Sequence, residues 1–294
     1  MHSSAMPESC RAERFVPKSV PFSTGYDGRA LTMKLRMEVV EKPWGRADIP
    51  PMFPNPDGRK IGEVWFTSET DEPLLLKWLF TSERLSVQVH PNDTQARERG
   101  LPRGKTECWY IVDAEPGATL GLGLVREVGE DELRAAALDG SIEQLLDWRP
   151  VRVGEFFFVP PGTIHAIGGG LTLIEFQQNA DVTYRLYDYG RPRELHLEDG
   201  VAVARREPYP AELTTVADAP SILVDGPEFM LVHAVDGIAP SDALSDRRRW
   251  VIPVEGTVTS GAESAGAGEC LIIEAGAPLD FTGARILIGS EGSA

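Results

Sequence analysis

Three short segments of this chain combine residue types that bind metal ions and polarise oxygen atoms. The first is Leu85-Ser86-Val87-Gln88-Val89-His90-Pro91. Side chains alternate along a strand, so Ser86, Gln88 and His90 share one face and Val87 and Val89 form the other. The second, Gly104-Lys105-Thr106-Glu107-Cys108-Trp109-Tyr110, alternates in the same way. It sets an ammonium beside a carboxylate and turns Cys108 toward the opposite, core-facing side. The third, Val159-Pro160-Pro161-Gly162-Thr163-Ile164-His165-Ala166-Ile167, uses a Pro-Gly turn to deliver an imidazole at the start of a strand.

Each segment alone has an ordinary explanation: a half-exposed strand, a surface Lys–Glu pair of little energetic worth, a structural histidine. Together they change the balance, because the chain has only 5 histidines and two of them fall in these segments. His90, Glu107 and His165 supply two imidazoles and one carboxylate, a donor set suited to zinc or a similar divalent ion. Gln88 offers an amide oxygen as a weak fourth ligand, and water or a substrate hydroxyl would fill the open positions of a catalytic site.

The elements around these segments read as many short strands: Gly62–Ser68, Leu74–Leu79, Leu85–His90, Cys108–Val112, Glu155–Val159, Leu171–Gln177 and Val182–Tyr187, then Phe229–Ala234, Trp250–Val254, Cys270–Glu274 and Arg285–Ile288. Turn residues separate them, the pattern of a β-sandwich or barrel. One stretch, Glu130 to Trp148, has helical periodicity, with acidic residues in its first turn and a Gly140-Ser141 break that predicts two short helices. A faint internal repeat pairs Gly154–Gly162 with Gly268–Gly276, and Trp109–Val112 with Trp250–Pro253. In that register Glu107 corresponds to Arg248 and His165 to Leu279, so the second copy would keep no metal ligands and serve as structure.

The chain of 294 residues is 42% hydrophobic and 25% charged, ordinary for a globular protein. No apolar run approaches the roughly 20 residues that span a bilayer, so no membrane partner is expected. Cys10, Cys108 and Cys270 form no metal or redox pair, and so sparse a set fits a reducing, cytoplasmic setting. The formal net charge of −16 argues against a nucleic-acid partner. An anionic small molecule would need a locally positive pocket in this acidic chain. Residues 1–32 lack the apolar core of a secretory signal and read as an extension without a catalytic role.

The motif order is specific. Lys-Pro-Trp-Gly (42–45), Gly-Glu-x-Trp (62–65), Leu-Ser-Val-Gln-Val-His-Pro (85–91), Gly-Lys-Thr-Glu-x-Trp-Tyr (104–110), Pro-x-Gly-Thr-x-His-Ala (160–166) and Thr-Tyr-Arg-Leu-Tyr-Asp (183–188) together resemble the type I mannose-6-phosphate isomerases in their short form. The resemblance covers residues 42 to about 199 and only outlines the remainder. It implies a mainly β chain of two cupin-like, jelly-roll barrels. A catalytic domain would cover 33–205, with a helical insertion at about 126–148, and a degenerate domain would cover 206–294.

The resemblance also implies one zinc ion per chain, held by Gln88, His90, Glu107 and His165. It assigns Arg185, Lys105 and Glu175 to catalysis, and Ser86, Lys77 and Arg191 to the substrate phosphate. The implied activity interconverts mannose 6-phosphate and fructose 6-phosphate through an enediol. Arg185, held protonated by its high pKa, is a poor proton acceptor and is read as electrostatic support. Lys105, Glu175 and a metal-bound water stay open as the carrier. The rival readings are an iron-dependent oxygenase on the same donor set and a non-catalytic sugar-phosphate binder. Oligomeric state is not legible.

Overall fold

A computed structural model describes residues 32–240 and 244–292. The expected extension over residues 1–32 lies outside them except for Thr32, which opens the first strand. Strands β1 (Thr32–Lys34), β2 (Arg36–Arg46), β3 (Ile61–Thr67), β4 (Leu74–Thr81) and β5 (Val87–Val89) lead into helix α1 (Asp93–Glu98). Next come β6 (Glu107–Ala114), β7 (Thr119–Leu124), α2 (Glu130–Asp139) and α3 (Ile142–Leu145). β8 (Leu146–Pro150), β9 (Glu155–Val159), β10 (His165–Ile167), β11 (Leu171–Gln178) and β12 (Tyr184–Tyr187) run on to α4 (Leu197–Val203). The rest is β13 (Thr214–Val216), β14 (Ser221–Asp225), β15 (Phe229–Val235), β16 (Arg249–Glu255), β17 (Thr257–Ser260), β18 (Glu263–Gly266), β19 (Leu271–Ile273) and β20 (Arg285–Glu291).

The mainly β, cupin-like architecture expected from the motifs is present. A 7-stranded sheet in the order β13-β9-β6-β11-β4-β3-β2 faces a 5-stranded sheet in the order β12-β5-β10-β7-β8. A 6-stranded sheet, β1-β19-β16-β20-β15-β14, and the β17-β18 hairpin form the other half. The end strands are exchanged: β1 pairs with β19 in the later sheet, and β13 pairs with β9 in the earlier one. The division of strands therefore does not fall at the expected boundary between residues 205 and 206.

Every residue of β4 and of β11 is buried, because these central strands are covered on both faces. Leu79 and Leu173 point into the first barrel with Trp109, Leu120 and Leu122. Trp78, Phe80 and Phe176 point the other way and meet Phe229, Trp250 and Ile272 of the later sheet. This double burial explains why Leu74–Leu79 is apolar on both faces apart from Lys77, which turns into the first barrel. One contact demands glycine: a Cβ on Gly289 would lie 2.0 Å from Cζ of Phe176, whose ring presses on the β20 backbone there.

The helical segment breaks where expected. α2 ends at Gly140, in the left-handed region with φ 83°. The helical reading fails from Leu146 to Trp148, because those residues belong to β8 and pair with β7. The internal repeat is also displaced. β6 sets Glu107 opposite Val159, whereas β16 sets Arg249, not Arg248, opposite the corresponding Ile273. Arg249 is buried and donates to the Ala277 carbonyl at 2.5 Å. Leu279 packs at the edge of the second core, as a non-ligand. Arg248 instead crosses to the first half and grips the buried carboxylate of Glu72 with two hydrogen bonds, 2.7 and 3.2 Å.

Candidate active site

Antiparallel register builds the site. β10 sets His165 opposite Gln88 of β5, and β12 sets Arg185 opposite the same Gln88. Directly paired residues project to one face of a sheet, so these three side chains line one wall of the first barrel. On the facing sheet, β6 brings Glu107 and β11 brings Glu175, paired through Trp109. Lys77 of β4 sits opposite Glu175 in the neighbouring register.

His90, Glu107 and His165 converge as the sequence predicted, with ligand atoms all within 4.8 Å of one another. All three are essentially inaccessible to solvent. His90 Nδ1 donates to the Val182 carbonyl at 2.8 Å, and His165 Nδ1 donates to the Thr163 carbonyl at 2.9 Å. These bonds fix the tautomers and leave both Nε2 lone pairs facing Glu107 Oε1, at 3.5 and 3.1 Å. Burial first, then the Lys105 ammonium, depress the His90 imidazole to about 3, with Glu107 opposing. Burial likewise lowers His165. Burial pushes the Glu107 carboxyl up, but the Lys105 ammonium beside it opposes this, and the carboxyl is held well below the usual carboxylate range.

Neither carboxylate oxygen of Glu107 receives a well-directed hydrogen bond, although Lys105 Nζ lies 2.7 Å from Oε2. Two neutral imidazoles and an ionised carboxylate thus aim lone pairs at one dry volume, and these donors fit a zinc-like cation. Gln88 has its amide nitrogen 3.2 Å from His165 Nε2 and its oxygen accepting from Ser86 at 3.1 Å. As placed, the expected fourth ligand therefore presents its amide nitrogen, not its oxygen, to the cluster.

Above this floor lies a cavity of about 330 Å³. Of the residues predicted to act, Lys77, Ser86, Gln88, Lys105, Glu175 and Arg185 line it. Glu175 lies between two ammonium groups, 3.1 Å from Lys77 and 3.8 Å from Lys105, and accepts from the Trp109 indole at 3.3 Å. Burial works against charge on Lys105, yet the Glu107 and Glu175 carboxylates outweigh it and raise this ammonium above its ordinary value. Lys105 is therefore firmly protonated. Arg185 is half-buried and donates to the Glu194 carbonyl at 2.7 Å, while its buried Nε has no partner among the described residues.

Arg191 does not join them. Its guanidinium is held by Asp188 at 3.1 Å, Glu83 at 3.2 Å and the Arg84 carbonyl at 2.8 Å, and it lies over the Tyr189 ring. The left-handed residues Tyr189 and Gly190 turn the loop so that Arg193, two positions on, lines the cavity instead. Arg193 is braced by Asp188 at 2.6 and 2.7 Å.

Sequence reasoning also missed Lys42, Glu63, Trp65 and His196 on the lining. Lys42, Glu63 and Trp65 lie inside quoted motifs, and the alternation of Glu63 with Trp65 was the available signal. Their contacts are ordered: Lys42 pairs with Glu63 at 3.0 Å, and the Lys77 ammonium lies 4.6 Å over the Trp65 ring.

No protein-family model matches the chain. A mannose-6-phosphate isomerase of Streptococcus mutans is 41% identical over 167 residues, 53% of this chain and 52% of that protein. Mannose-6-phosphate isomerase ManA of Bacillus subtilis is 47% identical over 139 residues, 45% of this chain and 44% of that protein. The matched region thus spans about half the length of these curated relatives. Among solved structures, the mannose 6-phosphate isomerase of Bacillus subtilis superposes with a TM-score of 0.74 at 28% identity, covering 88% of this chain and 99% of that one. A zinc-bound mannose 6-phosphate isomerase shares the fold with a TM-score of 0.63 at 16% identity, over 89% of this chain and 100% of that one. In sequence over about half of its length, and in fold over 88% of it, the chain is similar to mannose-6-phosphate isomerases.

Proposed function

We propose that this chain interconverts mannose 6-phosphate and fructose 6-phosphate with one zinc ion per chain, held by His90, Glu107 and His165, with Gln88 as a fourth ligand once its amide turns its oxygen toward the cluster. The observation that carries the reading is the convergence of two Nε2 lone pairs and the Glu107 carboxylate beneath a cavity lined by Lys42, Lys77, Lys105, Arg185 and Arg193. That concentration of positive side chains, in a chain of net charge −16, suits an anionic substrate. A cavity of about 330 Å³ has the scale of a small-molecule site. The zinc-bound relative of the same fold supports the choice of metal.

The reaction moves a proton between C2 and C1 of the open-chain sugar through an enediol. Bound zinc would supply Lewis-acid polarisation of the substrate oxygens. Lys105, locked in its charged form, stabilises the oxyanion that develops as the proton leaves, and Arg185 adds a second fixed cation. Its charged form favours Lys105 as an electrostatic partner over a role as the base. Glu175, beside both lysines, is the carboxylate placed to accept and return the proton. Lys77 and Ser86, with Arg193 in the place expected for Arg191, hold the phosphate. Arg193 can give two parallel hydrogen bonds where a lysine gives a point charge.

The test is metal analysis of the purified protein together with a coupled assay in both directions. Zinc near one per chain with turnover of mannose 6-phosphate supports the reading. A zinc-replete protein that interconverts no aldose and ketose phosphate overturns it, and leaves the site to a sugar-phosphate binder.

A further inference from the structure

The row of paired residues His165, Gln88 and Arg185 does not stop at the edge of the five-stranded sheet. Beyond β12 the chain returns, and His196 docks on Arg185: its N–H donates to the Arg185 carbonyl at 2.8 Å, and the Arg185 N–H points to His196 Nδ1 at 3.3 Å. The ring lines the cavity, immediately before α4 and three residues beyond Arg193, which lines it as well. An imidazole that accepts at Nδ1 carries its proton on Nε2 when neutral. Burial, then the Arg185 guanidinium, lower this imidazole from its ordinary value and favour the neutral form. Its Nε2–H has no hydrogen-bond acceptor among the described residues, while Nδ1 is committed to the backbone.

We infer that His196 is a substrate-orienting residue whose Nε2–H donates a hydrogen bond to an oxygen of the bound sugar phosphate. The inference rests on the function proposed above and adds to it a neutral donor, fixed in one tautomer by the backbone of Arg185. A neutral donor beside two guanidinium groups supplies direction where the cations supply attraction. The sugar is thereby held in one orientation over the metal-bearing floor.

Two substitutions separate the two ring nitrogens. His196→Asn keeps an acceptor near the Nδ1 position for the Arg185 N–H and removes the outer donor. His196→Gln places an amide N–H near the Nε2 position. Calorimetric titration of zinc-loaded protein with mannitol 6-phosphate, which lacks a carbonyl and cannot isomerise, reads binding alone. The expected result is an affinity about ten-fold or more weaker in His196→Asn, and within about three-fold of wild type in His196→Gln. Zinc content should be unchanged in both. Parallel titration with inorganic phosphate assigns the oxygen: a matching loss places the donor on the phosphate, and a loss confined to the hexitol phosphate places it on a sugar hydroxyl. Equal affinity in wild type and His196→Asn overturns the inference. So does a loss as large in His196→Gln as in His196→Asn, which would mark the ring as packing. Failure of the wild-type protein to bind mannitol 6-phosphate overturns the proposed function instead.

Discussion

His165 presents its Nε2 lone pair to Glu107 Oε1 across 3.1 Å, two acceptors facing each other where solvent does not reach. From the protein side the contact is relieved by the Gln88 amide, 3.2 Å from the same nitrogen, and by the Lys105 ammonium, 2.7 Å from Glu107 Oε2. Such an arrangement is favourable when a cation stands between the donors and unfavourable without one.

The first prediction follows from that pair. His165→Ala and Glu107→Gln should each lose bound zinc and lower kcat/KM by at least about a hundred-fold, because too few donors remain for a tight site. Chelation of wild-type protein should lower its thermal midpoint as well as its activity. Full zinc occupancy in His165→Ala would contradict the assignment of the ligand set.

Glu175 and Lys105 separate by role. Glu175→Gln should abolish incorporation of solvent deuterium into the sugar and cut kcat by about a hundred-fold or more, with zinc retained. Lys105→Met should cut kcat comparably, yet leave residual exchange, since it removes an electrostatic partner and not the carrier of the proton. Undiminished exchange in Glu175→Gln would move the proton to another group.

Arg193→Ala should weaken kcat/KM for mannose 6-phosphate by roughly ten- to a hundred-fold, the worth of a charge-assisted hydrogen bond. The rate with unphosphorylated mannose should change little. Arg191→Ala should have the smaller effect, because its guanidinium is spent on Asp188 and Glu83. A larger loss in Arg191→Ala than in Arg193→Ala would restore the assignment expected from the motif.

The clamp between the two halves is a stability element. Arg248→Ala strands the Glu72 carboxylate, which is 5% exposed and also accepts from Ser68 at 3.1 Å. Because Arg248 itself is about one-third exposed, the cost is set near 2 kcal/mol and not at the full value of a buried pair. Urea denaturation should show this loss, with zinc content unaltered. An unchanged midpoint would show that solvent replaces Arg248 at no cost.

His233 makes folding sensitive to acid. It is buried, its Nδ1 donates to the Ala219 carbonyl at 2.9 Å, and its Nε2 has no partner among the described residues. Burial, aided by Arg285, lowers its value in the folded state below the ordinary 6.5. The unfolded chain then binds a proton that the folded chain refuses, so stability is fully present above pH 6.5 and falls as the pH drops below it. In zinc-loaded protein the slope of the unfolding midpoint between about pH 6.5 and 5 should be shallower in His233→Leu than in wild type. Identical slopes would exclude His233 as a contributor.

The candidate metal ligands were legible because strand alternation alone determines the face of His90, Glu107 and their neighbours, and because few histidines compete with them. The all-round burial of β4 was hidden, since an apolar run does not say what covers each face. Arg191 and Arg193 flank Pro192 with the same chemistry, and only the turn at Tyr189 and Gly190 decides which one reaches the cavity. His196 was invisible for a related reason: its significance lies in the backbone of Arg185, a contact that no local spacing encodes. The repeat misplaced Arg248 by one position because strand register in the second half follows its own pairing.

The exchanged strand β1 has a consequence for biosynthesis. It is the first of the described strands to leave the ribosome, and its partner β19 is the next to last. Until Leu271–Ile273 emerges, the backbone groups of Thr32, Met33 and Lys34 have no sheet to join, even if the first barrel has already closed around its ligands. That edge of the six-stranded sheet is sealed only after Leu271–Ile273 has been made, and a nascent chain stalled before Leu271 leaves the strand open to pairing with other chains.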